Sequence, residues 1–297
     1  MPALVKKCKT GMDSRIWLLL SNGGVRASLL ASEGPGKNLQ GALKRLVSGV
    51  ARDIHALPER LEDRVHDIRV RMKKFRATLR LVESRLKKTD FVKADRMARS
   101  LKDHFGSARD QDVQRDLLLD LLEKKEAIAA ADAIGLSEKV SAAGDTDIST
   151  ARELCGTLST LVARFDLHRL TREDLLGAWS VSYRNSRRAM RACRKGRNDD
   201  FLFHEWRKRV KEFLYQSVMI GSPCDSFVLK ADRLSSLLGA HHDLAILSER
   251  IAGHLDSSKA GKAAHLQKKI VARRALVIGR KLFSEKPSAM LRRIKKI

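Results

Sequence analysis

A chain of 297 residues is long enough for one large or two smaller domains with a substantial buried core. Its 60 Lys and Arg outnumber 35 Asp and Glu, leaving a net charge of +25 and a pI near 10.4; that excess predicts an acidic partner such as nucleic acid, anionic membrane or inorganic polyphosphate. Aromatics at 5% argue against a binder that stacks single-stranded bases, and the four scattered cysteines (Cys8, Cys155, Cys193, Cys224) form no CxxC, so neither a disulfide framework nor a zinc module is expected.

Residues 1–36 read as an irregular extension punctuated by Gly23, Gly24, Gly34, Pro35 and Gly36. The apolar run Ile16 to Leu20 within it is too short to cross a bilayer and is a poor signal-peptide core, which points to a cytoplasmic protein without membrane insertion. From Asn38 onward nearly everything reads as helix. Leu39, Leu43, Leu46, Val47 and Val50 recur with a 3.6-residue period, and Pro58 breaks that helix. The next helix spans 65–86. Another, over 90–105, ends at Gly106 as a left-handed cap, and a third runs from Asp110 to about residue 130. Asp110, Asp112 and Asp243 have helix N-capping as their expected role. Small polar residues over 131–147 predict a linker. A helix then covers 148–165, and Thr171 with Glu173 and Asp174 opens a long helix ending near Gly196. Asn198, Asp199 and Asp200 cap a helix over 201–219; Pro223 separates it from one ending at Gly239. After Asp243 a helix runs to about residue 255, followed by a basic helix over 260–283. No strand is predicted: the fold class is all-α.

The stretch 65–86 carries the strongest functional signal. Read at 100° per residue, His66, Arg69, Lys73, Arg76 and Arg80 fall within roughly an 80° arc, beside an apolar face of Val65, Ile68, Met72, Phe75, Leu79 and Val82. That cationic stripe is about 21 Å long and holds no acid, whereas an ordinary solvated face intersperses Glu and Asp for i,i+4 pairing. The segment beginning at Phe203 repeats it. His66, Arg69, Arg71 and Lys73 align with His204, Arg207, Arg209 and Lys211, over an apolar face of Phe203, Trp206, Val210 and Phe213. Each copy is followed by a helix, a glycine and an acid. A third stripe precedes the second copy: Arg184, Arg187, Arg188, Arg191, Arg194 and Lys195 share roughly a 120° arc. Duplicated hairpins of this kind pack naturally as two bundles related by a pseudo-twofold axis, which could turn the two His/Arg/Lys stripes toward each other.

These paired His-x-x-Arg-x-x-x-Lys helices, with the Leu-x-x-x-x-Gly-x-x-Arg-Asp-x-Asp-Val turn at Leu101 to Val113 and its counterpart at Leu237 to Ala245, resemble the CHAD domain, the conserved-histidine α-helical domain. The resemblance covers about residues 37–297, with a first bundle over 37–165 and a second over 166–297. It implies a basic cavity between two four-helix bundles that binds inorganic polyphosphate. His66, Arg69, Lys73 and Arg76 would bind in the first copy, with His204, Arg207 and Lys211 in the second. His242 stands where the family often has Asn. CHAD domains are often joined to a CYTH domain, whose Glu-x-Glu-x-Lys motif does not occur here, so a stand-alone CHAD protein is expected.

The expectation is a non-enzymatic binder of inorganic polyphosphate with no cofactor, metal or catalytic residue, cytoplasmic and associated with polyphosphate granules. Its binding set is His66, Arg69, Lys73, Arg76, Arg80, Arg184, Arg187, Arg188, Arg191, His204, Arg207, Lys208 and Lys211. Arg suits phosphate through its forked donors, Lys as a mobile charge and His as a donor from either ring nitrogen. The competing class is a nucleic-acid binder using the same stripes on an open surface. A metal-dependent phosphohydrolase is the lesser alternative: His66-Asp67 and His242-Asp243 spell its His-Asp doublet, but Glu205 follows His204 in the repeat.

Overall fold

Local sequence chemistry sets the helix limits. Pro35, whose missing N–H costs nothing at a first turn, opens α1 (Pro35–His55). α2 (Leu61–Leu81) is followed by a 3₁₀ turn at Glu83–Arg85, then α3 (Lys88–His104), α4 (Arg109–Leu121), α5 (Lys124–Ala133) and α6 (Ile148–Ala163). The second half holds α7 (Arg172–Lys195), α8 (Asp200–Ile220), α9 (Asp225–Ala252), α10 (Lys259–Leu282) and α11 (Pro287–Lys295). This computed structural model describes residues 34–57, 61–105, 109–136, 148–196, 199–221, 225–252 and 259–295, and among them every regular element is helical. Thr171 closes a capping box over α7: its hydroxyl accepts from the Asp174 N–H, and its own N–H donates to the Asp174 carboxylate at 2.8 Å. Asp199 caps α8 by accepting from the Phe201 N–H at 2.8 Å, and Gly221 ends that helix in the left-handed region at φ 68°.

Helices α1, α2, α3 and α6 pack on one another, as do α7, α8, α9 and α10, with α11 against α7. The two groups meet where α2 lies on α8 and α7, and where α4 lies on α9 and α10. At that junction Gln216 donates to the buried Ala77 carbonyl at 3.0 Å, and Arg85 forks onto Asp174 at 2.8 and 3.0 Å. The second group is centred on aromatics. Phe213 contacts Trp179, Tyr183, Phe227 and Phe283 with ring centroids 5.4–5.8 Å apart, while Trp179 donates to the Ser217 hydroxyl and Tyr183 to the Glu285 carbonyl. The first is aliphatic, with Leu39, Leu43, Val50, Ile68, Met72, Leu79 and Phe75 fully buried. Each such side chain contributes about 1.5–3 kcal/mol. Each half also buries a free thiol, Cys155 in α6 and Cys193 in α7.

Several boundaries differ from those the sequence suggests. The irregular extension gives way to helix at Pro35, so Gly36 is helical; a Cβ there would stand 1.8 Å from the Leu167 carbonyl oxygen, and glycine lets the two backbones touch. The expected helix over 65–86 starts earlier, at Leu61, and ends at Leu81, its last residues forming the 3₁₀ turn. The single helix from Asp110 to residue 130 is two, parted between Leu121 and Lys124, and Asp110 and Asp112 lie inside the first turn of α4 instead of ahead of it. Gly239 does not end a helix: α9 runs through it to Ala252, so Asp243 is an interior residue and not an N-cap. Leu234, Leu237, Leu238, Leu244, Leu247 and Ile251 are all buried along α9, and their burial outweighs the cost of about 1 kcal/mol for one helical glycine. The C-terminal basic segment adds a further helix, α11. Residues 1–33, Pro58, Gly106, residues 137–147, Asn198 and Pro223 lie outside the described residues.

Candidate polyanion-binding site

The site is built on the two repeat-related helices. The apolar face predicted for α2 is the one it buries, with Val65, Ile68, Met72, Phe75, Leu79 and Val82 in the core; α8 likewise buries Phe203, Trp206, Val210 and Phe213. Burying those faces leaves the cationic stripes beside the buried side of each helix. His66, Arg69, Lys73, Arg76 and Arg80 on α2 are half-buried, as are His204, Arg207 and Lys211 on α8, while Lys208 is exposed and pairs with Glu205 at 2.6 Å. Because α2 packs on α8 through Ala77 and Gln216, the two stripes belong to helices in direct contact.

The α2 stripe is free of acids along its own helix but not in three dimensions. Arg76 forks onto Asp95 of α3 at 2.7 and 3.1 Å, and Asp95 also holds Arg99 at 3.0 Å and lies 3.9 Å from Arg80. Burial works to raise the Asp95 carboxyl, but the Arg76 hydrogen bonds and charge, with Arg80 and Arg99, hold it below the usual carboxylate range. Arg80 further lies 3.6 Å from Glu212 of α8. Arg69 donates to the Phe105 carbonyl at 2.9 Å, tying α2 to the end of α3. The C-terminal half of this stripe is thus partly neutralised and fixed in place.

The α8 stripe gathers cations and imidazoles. His204 Nδ1 lies 3.2 Å from Nδ1 of His242 on α9, with ring centroids 4.5 Å apart, within hydrogen-bonding reach whenever one of the two nitrogens carries a proton. Both rings are driven toward the neutral form. Burial, then Lys208 and Arg207, lowers His204 against the opposing pull of Glu205; burial, then Arg207, His204, Lys211 and His241, brings His242 down to about 4. Burial is the larger cause; the Arg and Lys charges that add to it supply a positive field of the kind that attracts an anion. His241, fully buried, stacks on Phe203 with centroids 4.1 Å apart and faces Asp200, which Lys268 of α10 holds at 2.7 Å.

The third stripe lies on the exposed side of α7. On α7 the buried residues Leu175, Trp179, Ser182, Ser186, Met190 and Cys193 form one side, and Arg184, Arg188 and Arg191 lie on the opposite, exposed side. Arg187 caps the C-terminus of α10 by donating to the Phe283 carbonyl at 2.9 Å. The apolar residues of α7 take its inward side, and Arg184, Arg188 and Arg191 point away from it. Sequence reasoning also missed His242 as a partner of His204, and Asp95 and Glu212 as counter-ions. The His241-His242 doublet was the one available signal. Among the described residues no cluster of three or more His, Cys, Asp or Glu could hold a metal.

The CHAD domain sequence model matches residues 39–252. This chain belongs to the CHAD family. Among solved structures it is similar to PptA from Streptomyces chartreusis, with a TM-score of 0.62 at 13% identity over 84% of this chain and 99% of that one. At that identity the likeness shows the fold alone. A comparison with curated proteins returns no match. Within the CHAD match lie both repeat-related helices and the His204–His242 pair; α10 and α11 follow it.

Proposed function

We propose that this chain binds inorganic polyphosphate, without hydrolysing it, along the seam where α2 meets α8. One observation carries the reading: an imidazole pair, His204 and His242, held neutral by burial and by surrounding cations, on a helix packed against α2, the helix that bears His66, Arg69 and Lys73. Such a field is built for an anion and penalises a further cation. CHAD membership supports the choice of polyphosphate, and the α2 and α8 helices are best read as products of one duplication. Guanidinium and ammonium groups would grip phosphate oxygens by charge-assisted hydrogen bonds, with released counterions driving association. We place this activity in the cytoplasm, at polyphosphate granules, a setting that suits the free thiols of Cys155 and Cys193.

Titration of the full chain with polyphosphate tests the reading. Affinity should fall steeply with added salt, and Arg207→Ala with Lys211→Ala should weaken binding about tenfold or more with helicity unchanged. Duplex DNA at equal charge concentration should not displace the polymer, and incubation with magnesium or manganese should release no phosphate. Unaltered affinity in the double variant would place the site elsewhere. Displacement by DNA would favour general polyanion binding, and phosphate release would reveal an enzyme.

A further inference from the structure

An acid-free surface lies on the outer side of α10. α10 contains no Asp or Glu in its 24 residues. It buries Ala260, Ala264, Val271, Ala275 and Leu282 on one side. On the opposite side Lys262, Leu266, Lys269, Arg273, Val277 and Arg280 fall within roughly an 80° arc, a ridge about 27 Å long. All six are exposed, Leu266 at 61% and Val277 at 44%. Ion pairs do engage the helix at Lys259, with Glu126, and at Lys268, with Asp200. The four cations of the outer ridge make no ion pair or hydrogen bond among the described residues.

We propose that this outer ridge of α10 docks on anionic lipid bilayers. A phosphate polymer would engage the four cations but do nothing for Leu266 and Val277, which stand in the middle of them. A bilayer surface takes both kinds: headgroup phosphates meet the Lys and Arg, and the apolar pair enters the headgroup–acyl boundary. A second copy of the chain is disfavoured, because two acid-free cationic ridges repel. The helix lies on the membrane and does not cross it, since no helix among the described residues is long and apolar enough to span. The face also falls beyond residues 39–252, so the CHAD match does not account for it.

Sedimentation of the full chain with vesicles tests this. The protein should pellet with phosphatidylcholine vesicles containing about a third phosphatidylglycerol, stay in solution with phosphatidylcholine alone, and be released by salt. Lys269→Glu with Arg273→Glu should cut partitioning about tenfold or more while polyphosphate affinity is unchanged. Leu266→Ser, which alters no charge, should also weaken it; both variants are checked for native helicity. The proposal is overturned by absence of pelleting, by equal pelleting with neutral vesicles, or by an inert Leu266→Ser. It also falls if the charge-reversed variant loses polyphosphate or duplex DNA binding while keeping its vesicle binding. Loss of polyphosphate binding in the Arg207/Lys211 variant with vesicle binding intact would separate the two surfaces.

Discussion

His204 and His242 face each other across 3.2 Å in a field set by Arg207, Lys211, Lys208 and His241, with Glu205 opposing. In the free protein burial and those cations keep both rings neutral at pH 7, His242 down to about 4. A bound polyanion reverses the sign of the field and raises both. Binding therefore takes up protons, and affinity should rise as pH falls below 7, because the bound rings accept a proton more readily than the free ones. Calorimetry in buffers of different ionisation enthalpy measures that uptake directly. His242→Asn keeps a polar partner for His204 but removes one titrating ring, so the uptake should shrink while binding persists. An uptake of zero in the native chain would mean the pair does not sense the ligand.

Two glycines make opposite predictions at the level of the helix. Gly239 lies inside α9 with open space where a Cβ would stand, so Gly239→Ala should raise stability by about 0.5–1 kcal/mol. Had the helix ended at Gly239, as the sequence suggested, with that glycine in the left-handed region, the same change would be destabilising, so thermal denaturation decides between them. Gly279 in α10 is different: an added Cβ would meet the Trp206 ring at 2.5 Å, and Gly279→Ala should cost about 1–3 kcal/mol. What was legible in the sequence follows from the same physics. Period 3.6 exposed the buried faces of α2 and α8, and Thr171 and Asp199 marked the starts of α7 and α8, because such signals are local. Gly239 misled because its role depends on leucines that continue packing on both sides of it. Asp95 gave no sign that it would hold Arg76, since that pairing spans two helices and exists only after they pack. Arg184, Arg188 and Arg191 share an arc with Arg187, yet a helical wheel does not say which side a neighbouring helix will cover.

Across the whole molecule, the two helix groups are joined by a buried backbone contact at Ala77, the Arg85–Asp174 fork, and packing of α4 on α9 and α10. A junction of that kind argues for halves that denature together. The molecule carries its own reporters for the question. Burial raises the Cys155 thiol in α6 to about 11 and, with Asp199 adding to the effect, the Cys193 thiol in α7 to about 12, so neither reacts with maleimide while its half stays folded. With Cys8 and Cys224 changed to serine, mass spectrometry of tryptic fragments along a urea series would date the opening of each side separately. Coincident labelling is expected; a gap between the two midpoints would show that one side can come apart and re-form beneath a ligand that the other still grips.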